Sequence, residues 1–118
     1  MSVSIEEFEK AIVSLEKVLA LPLDDVVRDA AIQRFEFCIE LSWKTARKVM
    51  GTQTSAPKQV IREMAQNGSI DDVQLWFEAL EKRNQSSHTY NEDLANEVFL
   101  FLKDFSKHFR FLLNNLKK

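Results

Sequence analysis

The sequence has few of the residues that make tight turns, since only two glycines and two prolines occur among its 118 residues. This scarcity argues against a β-sandwich or barrel, whose short strands need frequent turns, and favours a few long helices. The single cysteine, Cys38, excludes an intrachain disulfide. Because no Cys/His cluster has the spacing of zinc ligands, we expect neither a metal site nor a bound cofactor.

An excess of positive charge is also missing, because the formal net charge is −2. A domain that binds nucleic acid through the field of the whole molecule is usually basic, so contact with RNA would need a local basic patch. No apolar run approaches the length needed to span a membrane. The first seven residues lack the basic and apolar regions of a signal peptide. We therefore expect a cytoplasmic protein.

The sequence is rich in large apolar residues: 45% of its residues are hydrophobic, and it contains nine phenylalanines and two tryptophans. The length suits one domain, residues 1–118, and is too short for two. Apolar residues recur at spacings of three and four, which predicts an all-α, up-and-down antiparallel helical bundle of about five helices. The predicted helices span approximately residues 4–20, 25–50, 56–66, 69–83 and 92–116.

Capping residues suggest where these helices begin and end. Ser4 is followed by Glu7, and Ser69 by Asp72, at the spacing of a capping box. Gly51 follows the second helix at the position where a glycine commonly ends a helix in the left-handed conformation. A polar stretch then separates the predicted fourth and fifth helices.

The second helix is apolar over about two-thirds of its circumference on a wheel of about 100° per residue. Such an arc is too wide for a helix packed on one side, so this helix is predicted to be central in the bundle or part of a subunit interface. A bundle of this size has too little interior to hide Phe37, Leu41 and Trp43 together with their apolar neighbours, which predicts a homodimer.

The rest of the second helix is a narrow polar strip with two open interpretations. It consists of Asp29, Gln33, Glu36, Glu40, Lys44 and Arg47. The strip is either a solvated surface with salt bridges between successive turns, or the lining of a cleft or partner surface.

The polar stretch before the fifth helix concentrates groups that could carry chemistry. It contains Arg83, Asn84, His88 and the single tyrosine, Tyr90. An arginine can pair with a phosphate through two donors, and a histidine can exchange protons near neutral pH. Together they suit RNA cleavage without a metal. Alternatively, these polar residues only cap helix ends and satisfy carbonyl groups.

Cleavage of RNA needs two proton transfers, one from the attacking 2′-hydroxyl and one to the leaving oxygen, and the charge that develops on the phosphate must be neutralised. Each chain offers one histidine in this stretch. A two-fold dimer with the stretch at its interface would bring two arginines and two histidines into one cleft.

Two runs of residues resemble motifs of a known family. The run AIQRFEF at 31–37, continuing as ELSWK at 40–44, resembles the second-helix signature of the nucleotidyltransferase substrate-binding protein family. The run RNQSSHTY at 83–90 resembles the HEPN motif, which is Arg, four residues, His, one residue and Tyr. The resemblance covers essentially the whole chain, including the order of the helices.

The resemblance implies a homodimeric helical bundle encoded beside a minimal nucleotidyltransferase. HepT-like members of the family are toxins of a toxin–antitoxin pair, metal-independent endoribonucleases that the nucleotidyltransferase neutralises. The older family name implies instead a non-catalytic subunit that binds the substrate for that enzyme. A structural helical dimer without chemistry is a third alternative.

If the chain is a HepT-like nuclease, the resemblance assigns a role to each residue of the HEPN motif. Arg83 and His88 would be the catalytic pair, and Asn84 an assisting polar residue. Tyr90 would be the tyrosine that the antitoxin modifies with AMP. We expect such an adduct to place a phosphate beside Arg83, where it would block the cleft.

Overall fold

The structure, a computed structural model, describes residues 4–118 and shows six α-helices and one 3₁₀ helix, with no β-strand in that range. Residues 1–3, which belong to the predicted domain and to the segment tested as a signal peptide, lie outside the described residues. The α-helices are α1 (Ile5–Leu19), α2 (Asp25–Met50), α3 (Pro57–Gln66), α4 (Val73–Gln85), α5 (Glu92–Phe105) and α6 (Lys107–Leu116), and the 3₁₀ helix is Ser86–His88. The predicted all-α, up-and-down bundle is confirmed. None of the helices within residues 4–118 is long and apolar enough to cross a membrane.

The ends of α1 and α2 follow the predicted capping pattern. The Ser4 hydroxyl accepts a hydrogen bond from the Glu7 N–H at 3.1 Å. Gly51 ends α2 with φ = 69°, a left-handed conformation that glycine adopts without a steric penalty. The Thr52 N–H then donates to the Arg47 carbonyl at 3.1 Å, which closes the Schellman turn.

The fourth helix starts later than the sequence predicts. Asp72, rather than Ser69, is its N-cap, and the Asp72 carboxylate accepts a hydrogen bond from the Leu75 N–H at 3.0 Å. Ser69 belongs to the turn after α3, where its N–H and hydroxyl both donate to Asn67 Oδ1, at 3.1 and 2.6 Å. Asparagine favours such local turns, and this one engages the serine that was predicted to cap the helix.

The predicted fifth helix is divided at Ser106 into α5 and α6. The Ser106 hydroxyl donates to the Lys103 carbonyl, and the Phe109 N–H donates to the Ser106 carbonyl, both at 3.1 Å. The backbone bond from Phe109 spans three residues instead of four, which tightens the chain at the break, and the serine side chain adds a local bond to the preceding turn. The apolar pattern continues across the break and therefore gives no sign of it.

The core is built around aromatic rings from five of the six helices. Trp76 of α4 packs edge-on against Phe105 of α5, with ring centroids 4.9 Å apart. Phe109 of α6 lies 6.1 Å from Phe35 of α2 and 6.4 Å from Phe8 of α1. All five rings are buried. Such aromatic pairs contribute about 0.5–1.5 kcal/mol each beyond the burial of their area.

Helix α2 is the central element, because it packs against α1, α3, α4, α5 and α6. This position confirms one interpretation of its wide apolar arc. Phe35, Ile39 and Trp43 are buried in the bundle, but Phe37 is 53% exposed and Leu41 is only half-buried. The bundle therefore leaves part of the apolar arc of α2 uncovered.

Candidate functional site

The two family motifs meet where the last turn of α4 lies against α2. The Arg83 guanidinium pairs with two carboxylates of the polar strip, with Nη1 3.7 Å from Glu36 Oε2 and Nε 3.3 Å from Glu40 Oε1. The Nε–H is buried and has no hydrogen-bond acceptor among the described residues, so its contact with Glu40 is an ion pair without hydrogen-bond alignment. Arg83 is thus held by ion pairs, and its guanidinium keeps N–H donors that could bind a ligand.

The polar strip combines the two interpretations that its sequence left open. Lys44 Nζ lies 3.3 Å from Glu40 Oε2, one turn away, which is the salt bridge expected of a solvated strip. Glu40 also lines a cavity of about 930 Å³ between α2, α3 and α4. The strip therefore carries salt bridges and also faces a cleft.

Arg83 and Asn84 line one end of this cavity, which we call the α4 cavity. Its walls include Trp43 of α2 and Phe77 of α4. The basic side chain of Lys58, at the start of α3, lies 5.8 Å from the Phe77 ring centroid. Such a cavity has the size of a small-ligand pocket and offers both aromatic and charged walls.

His88 and Tyr90 lie outside this cavity and form a second pair. Both side chains are exposed, and Tyr90 is exposed to 84%. The Tyr90 hydroxyl lies 3.4 Å from His88 Nδ1, and the two rings meet at 79°. No hydrogen bond or ion pair joins Arg83 to His88 in the described part of the chain. The fold of the chain thus brings together Arg83 with Asn84 and, separately, His88 with Tyr90.

The alternative interpretation of the polar stretch, that it only satisfies helix ends, applies to its hydroxyl residues. Ser86 donates to the Arg83 carbonyl at 2.5 Å, and Thr89 donates to the Ser86 carbonyl at 3.1 Å. Asn91 caps α5, and its own N–H donates to the His88 carbonyl at 3.1 Å. These bonds fix the backbone of the stretch and leave the imidazole of His88 directed to solvent.

Arg28 is a residue of this region that the sequence interpretation missed. It is 5% exposed, and it anchors the start of α5 with Nη1 2.8 Å from Glu92 Oε2 and 3.1 Å from Asn96 Oδ1. Its Nε donates to Asp29 at 3.0 Å. The hydrogen bond from Arg28 lowers the pKa of Glu92. The pKa of Arg28 is raised, first by its hydrogen bond to Glu92 and then by the one to Asp29. A sequence signal existed, because Arg28 lies four residues before Ile32 on the buried stripe of α2.

Other reactive side chains do not extend the site. Cys38 is fully buried in α2, and desolvation raises the pKa of its thiol to about 12, so it is a small core residue as predicted. His108 packs on Phe105 with ring centroids 5.2 Å apart. Within residues 4–118, no three His, Cys, Asp or Glu side chains come together in a way that could hold a metal ion.

The all-α bundle, with an Arg-His-Tyr motif that runs from the last turn of α4 to just before α5, defines a HEPN-type domain. The chain belongs to the nucleotidyltransferase substrate binding protein like family, whose model matches residues 3–118. This match confirms the family that the two motifs indicate.

Known relatives are similar over most of their length. The chain is 31% identical over 104 residues to the probable ribonuclease HepT of Haemophilus influenzae, covering 81% of this chain and 71% of that protein. A crystal structure of a Thermus thermophilus protein has 34% identity and a TM-score of 0.87, covering 94% and 99% of the two chains. An H. influenzae structure, described as the fold of a substrate binding domain of a nucleotidyltransferase, has 28% identity and a TM-score of 0.87, covering 97% and 99%.

Proposed function

We propose that this chain is the toxin-type subunit of a cytoplasmic toxin–antitoxin pair, a metal-independent endoribonuclease that a partner nucleotidyltransferase neutralises. The observation that carries the proposal is the arrangement of the HEPN motif. Arg83 lines a cavity large enough for part of an RNA strand, and His88, one turn farther along, keeps its imidazole exposed. The likeness to a probable ribonuclease supports the same activity.

The proposed reaction uses the 2′-hydroxyl of the RNA as its nucleophile. The 2′-oxygen loses its proton to a histidine and bonds to phosphorus, while the bond from phosphorus to the 5′-oxygen breaks. A second histidine protonates that leaving oxygen, and the products are a 2′,3′-cyclic phosphate and a 5′-hydroxyl. Arg83 pairs with the phosphate oxygens and neutralises the charge that builds on them.

This reaction is the reason for including a homodimer in the proposal. The HEPN motif of one chain supplies one histidine, His88, for two proton transfers. The exposed Phe37 and half-buried Leu41 supply an apolar surface on α2 that a second copy would cover. A two-fold dimer would also offer one Arg83 from each protomer to the same phosphate backbone.

The test is cleavage of RNA in the presence of EDTA, with analysis of the product ends. We expect 2′,3′-cyclic phosphate and 5′-hydroxyl ends from the wild type. His88→Ala and Arg83→Ala should lower the rate by about 10²-fold or more, and His108→Gln, which changes the histidine outside the motif, should keep it. Equal cleavage by the wild type and both motif variants would indicate a contaminating nuclease and overturn the proposal.

A second candidate is a non-catalytic subunit that presents a substrate to the nucleotidyltransferase. The family name favours it, as does the description of the H. influenzae structure as a substrate binding domain. The two candidates differ in an assay of nucleotide transfer by the partner enzyme. If the chain is a substrate-binding subunit, adding it should stimulate transfer to a separate acceptor, and His88→Ala should stimulate equally well. If the chain is the toxin, it should itself be the acceptor.

A further inference from the structure

The α4 cavity extends well beyond the proposed catalytic residues. Its lining runs along α4 from Asn84 back to Gln74, and the helix rises about 15 Å between these two residues. Arg83 is at one end of this length, and Lys58 lies over the wall near the other end. An RNA strand whose scissile phosphate paired with Arg83 would therefore have a neighbouring nucleotide inside the cavity.

The charges that line the cavity between Arg83 and Lys58 are unfavourable for a phosphate. Glu78 and Glu81 of α4 and Glu40 of α2 are lining residues, and these carboxylates outnumber the lining cations Lys58 and Arg83. A phosphate placed among them would be repelled. Carboxylates only accept hydrogen bonds at neutral pH, so they favour a group with N–H donors. The exocyclic amino groups of adenine, cytosine and guanine each carry two N–H donors, whereas uracil has no amino group and offers only its ring N–H.

The remaining walls suit the faces of a base. Phe77 of α4 is half-buried and Trp43 of α2 is buried, and both line the cavity. The buried indole N–H of Trp43 has no hydrogen-bond acceptor among the described residues. Lys58 and Arg62 lie 5.8 and 5.2 Å from the Phe77 ring centroid, where they can meet the next phosphate. Proteins commonly hold single-stranded nucleic acid with aromatic side chains beside cations that contact the phosphates.

We propose that the α4 cavity is a base-binding subsite, which takes the nucleobase beside the scissile phosphate and selects bases that carry an amino group. The inference rests on the proposed ribonuclease function and adds a substrate preference to it. Phe77 and Trp43 supply apolar contacts for the base, and Glu78 and Glu81 supply the acceptors for the amino group. The subsite lies within one protomer, between α2, α3 and α4.

Binding can be tested separately from cleavage with the His88→Ala variant, which keeps the cavity intact. We would measure dissociation constants by fluorescence anisotropy for labelled RNA pentamers: all-uridine, and the same with one internal adenosine or cytidine. The amino-bearing pentamers should bind about threefold to tenfold more tightly, which corresponds to one hydrogen bond. In the His88→Ala background, the further substitutions Glu78→Gln and Glu81→Gln should reduce this preference for amino-bearing pentamers. Phe77→Ala in the same background should weaken binding of every pentamer.

Glu97→Gln, which changes an exposed carboxylate on α5, is the matched control and should keep the preference. Thermal unfolding of each variant checks that the bundle is intact. Equal affinities for all pentamers, together with wild-type affinity in folded Phe77→Ala, would overturn the subsite even if the wild type cleaves RNA. A preference that depends on Glu78 and Glu81, found without any cleavage by the wild type, would support the subsite and overturn the nuclease.

Discussion

Glu40 of α2 and Arg83 of α4 form an ion pair, with 3.3 Å between Glu40 Oε1 and Arg83 Nε. Glu36, one turn earlier on α2, adds a second carboxylate at 3.7 Å from the same guanidinium. The pair joins the second-helix signature to the HEPN motif, although Glu40 and Arg83 are 43 positions apart in sequence. The second-helix signature therefore has a physical role at the site, because its carboxylates set the position of the arginine.

The first prediction concerns this positioning. The double variant Glu36→Gln/Glu40→Gln keeps the side-chain shapes but removes the two charges that hold Arg83. We expect kcat for RNA cleavage to fall by about 10- to 100-fold, because a misplaced catalytic group is costly. The Michaelis constant shows whether the two carboxylates position Arg83 or compete with RNA for it. If the carboxylates merely compete with RNA for Arg83, KM would fall and kcat would stay unchanged, and our interpretation would be wrong.

The second prediction concerns the apolar surface of α2. Light scattering of the wild type at micromolar concentration should give twice the chain mass of 13.7 kDa. Phe37→Glu places a charge on the surface that we expect to be buried in the dimer, so it should give a single chain mass. Leu23→Glu, at a comparably exposed residue between α1 and α2, should remain dimeric. A wild type of single mass would contradict both the dimer and the composite site.

The third prediction concerns Tyr90, the residue that the sequence predicts to be modified with AMP. The described neighbour of its hydroxyl is His88, at 3.4 Å, rather than Arg83. AMP on this oxygen would remove the phenolic proton and place a bulky phosphodiester against the imidazole. Incubation with the partner nucleotidyltransferase, ATP and Mg²⁺ should add the mass of AMP to Tyr90 and abolish cleavage, and Tyr90→Phe should resist both changes. An active transferase that leaves the chain unmodified would favour inhibition by complex formation alone.

The fourth prediction concerns the anchor between α2 and α5. Arg28→Met keeps the buried length of the side chain and removes its hydrogen bonds to Asp29, Glu92 and Asn96. We expect the free energy of unfolding to fall by about 1–2 kcal/mol, a modest value because the partner carboxylates face solvent. Urea unfolding measures the change, with Lys103→Met at an exposed site of α5 as the control. Equal losses in both variants would contradict an anchoring role.

The same anchor predicts how stability depends on pH. Arg28 lowers the pKa of Glu92 in the folded state, mainly through their hydrogen bond. The anchor therefore stabilises the fold fully above the unfolded carboxyl pKa of about 4.3, and this contribution is lost as pH falls through the lower folded pKa. Melting temperatures of the wild type should decline more steeply below about pH 4.3 than those of Arg28→Met. Parallel profiles would show that Glu92 makes no such contribution.

Much of the fold follows from local sequence patterns. The apolar spacing gives the all-α class and the central role of α2, and local hydrogen bonds explain the caps at Ser4 and Gly51. The late start of α4 and the break at Ser106 could not be predicted from the sequence. Each depends on which of several nearby groups forms a hydrogen bond with a serine, Ser69 in the first case and Ser106 in the second. Those choices differ by only about 1 kcal/mol, and tertiary packing decides between them.

The sequence by itself determined the family, the helical class and the residues of the HEPN motif, because these depend on residue type and spacing along the chain. Only the tertiary structure decided that Glu36 and Glu40 hold Arg83, and that Arg28 anchors Glu92 at the entrance to α5. It likewise placed Tyr90 against His88 and opened a cavity along α4. The physical reason is that charges, rings and cavities act over a few ångströms of space, and the packing of helices far apart in the chain determines which groups come that close.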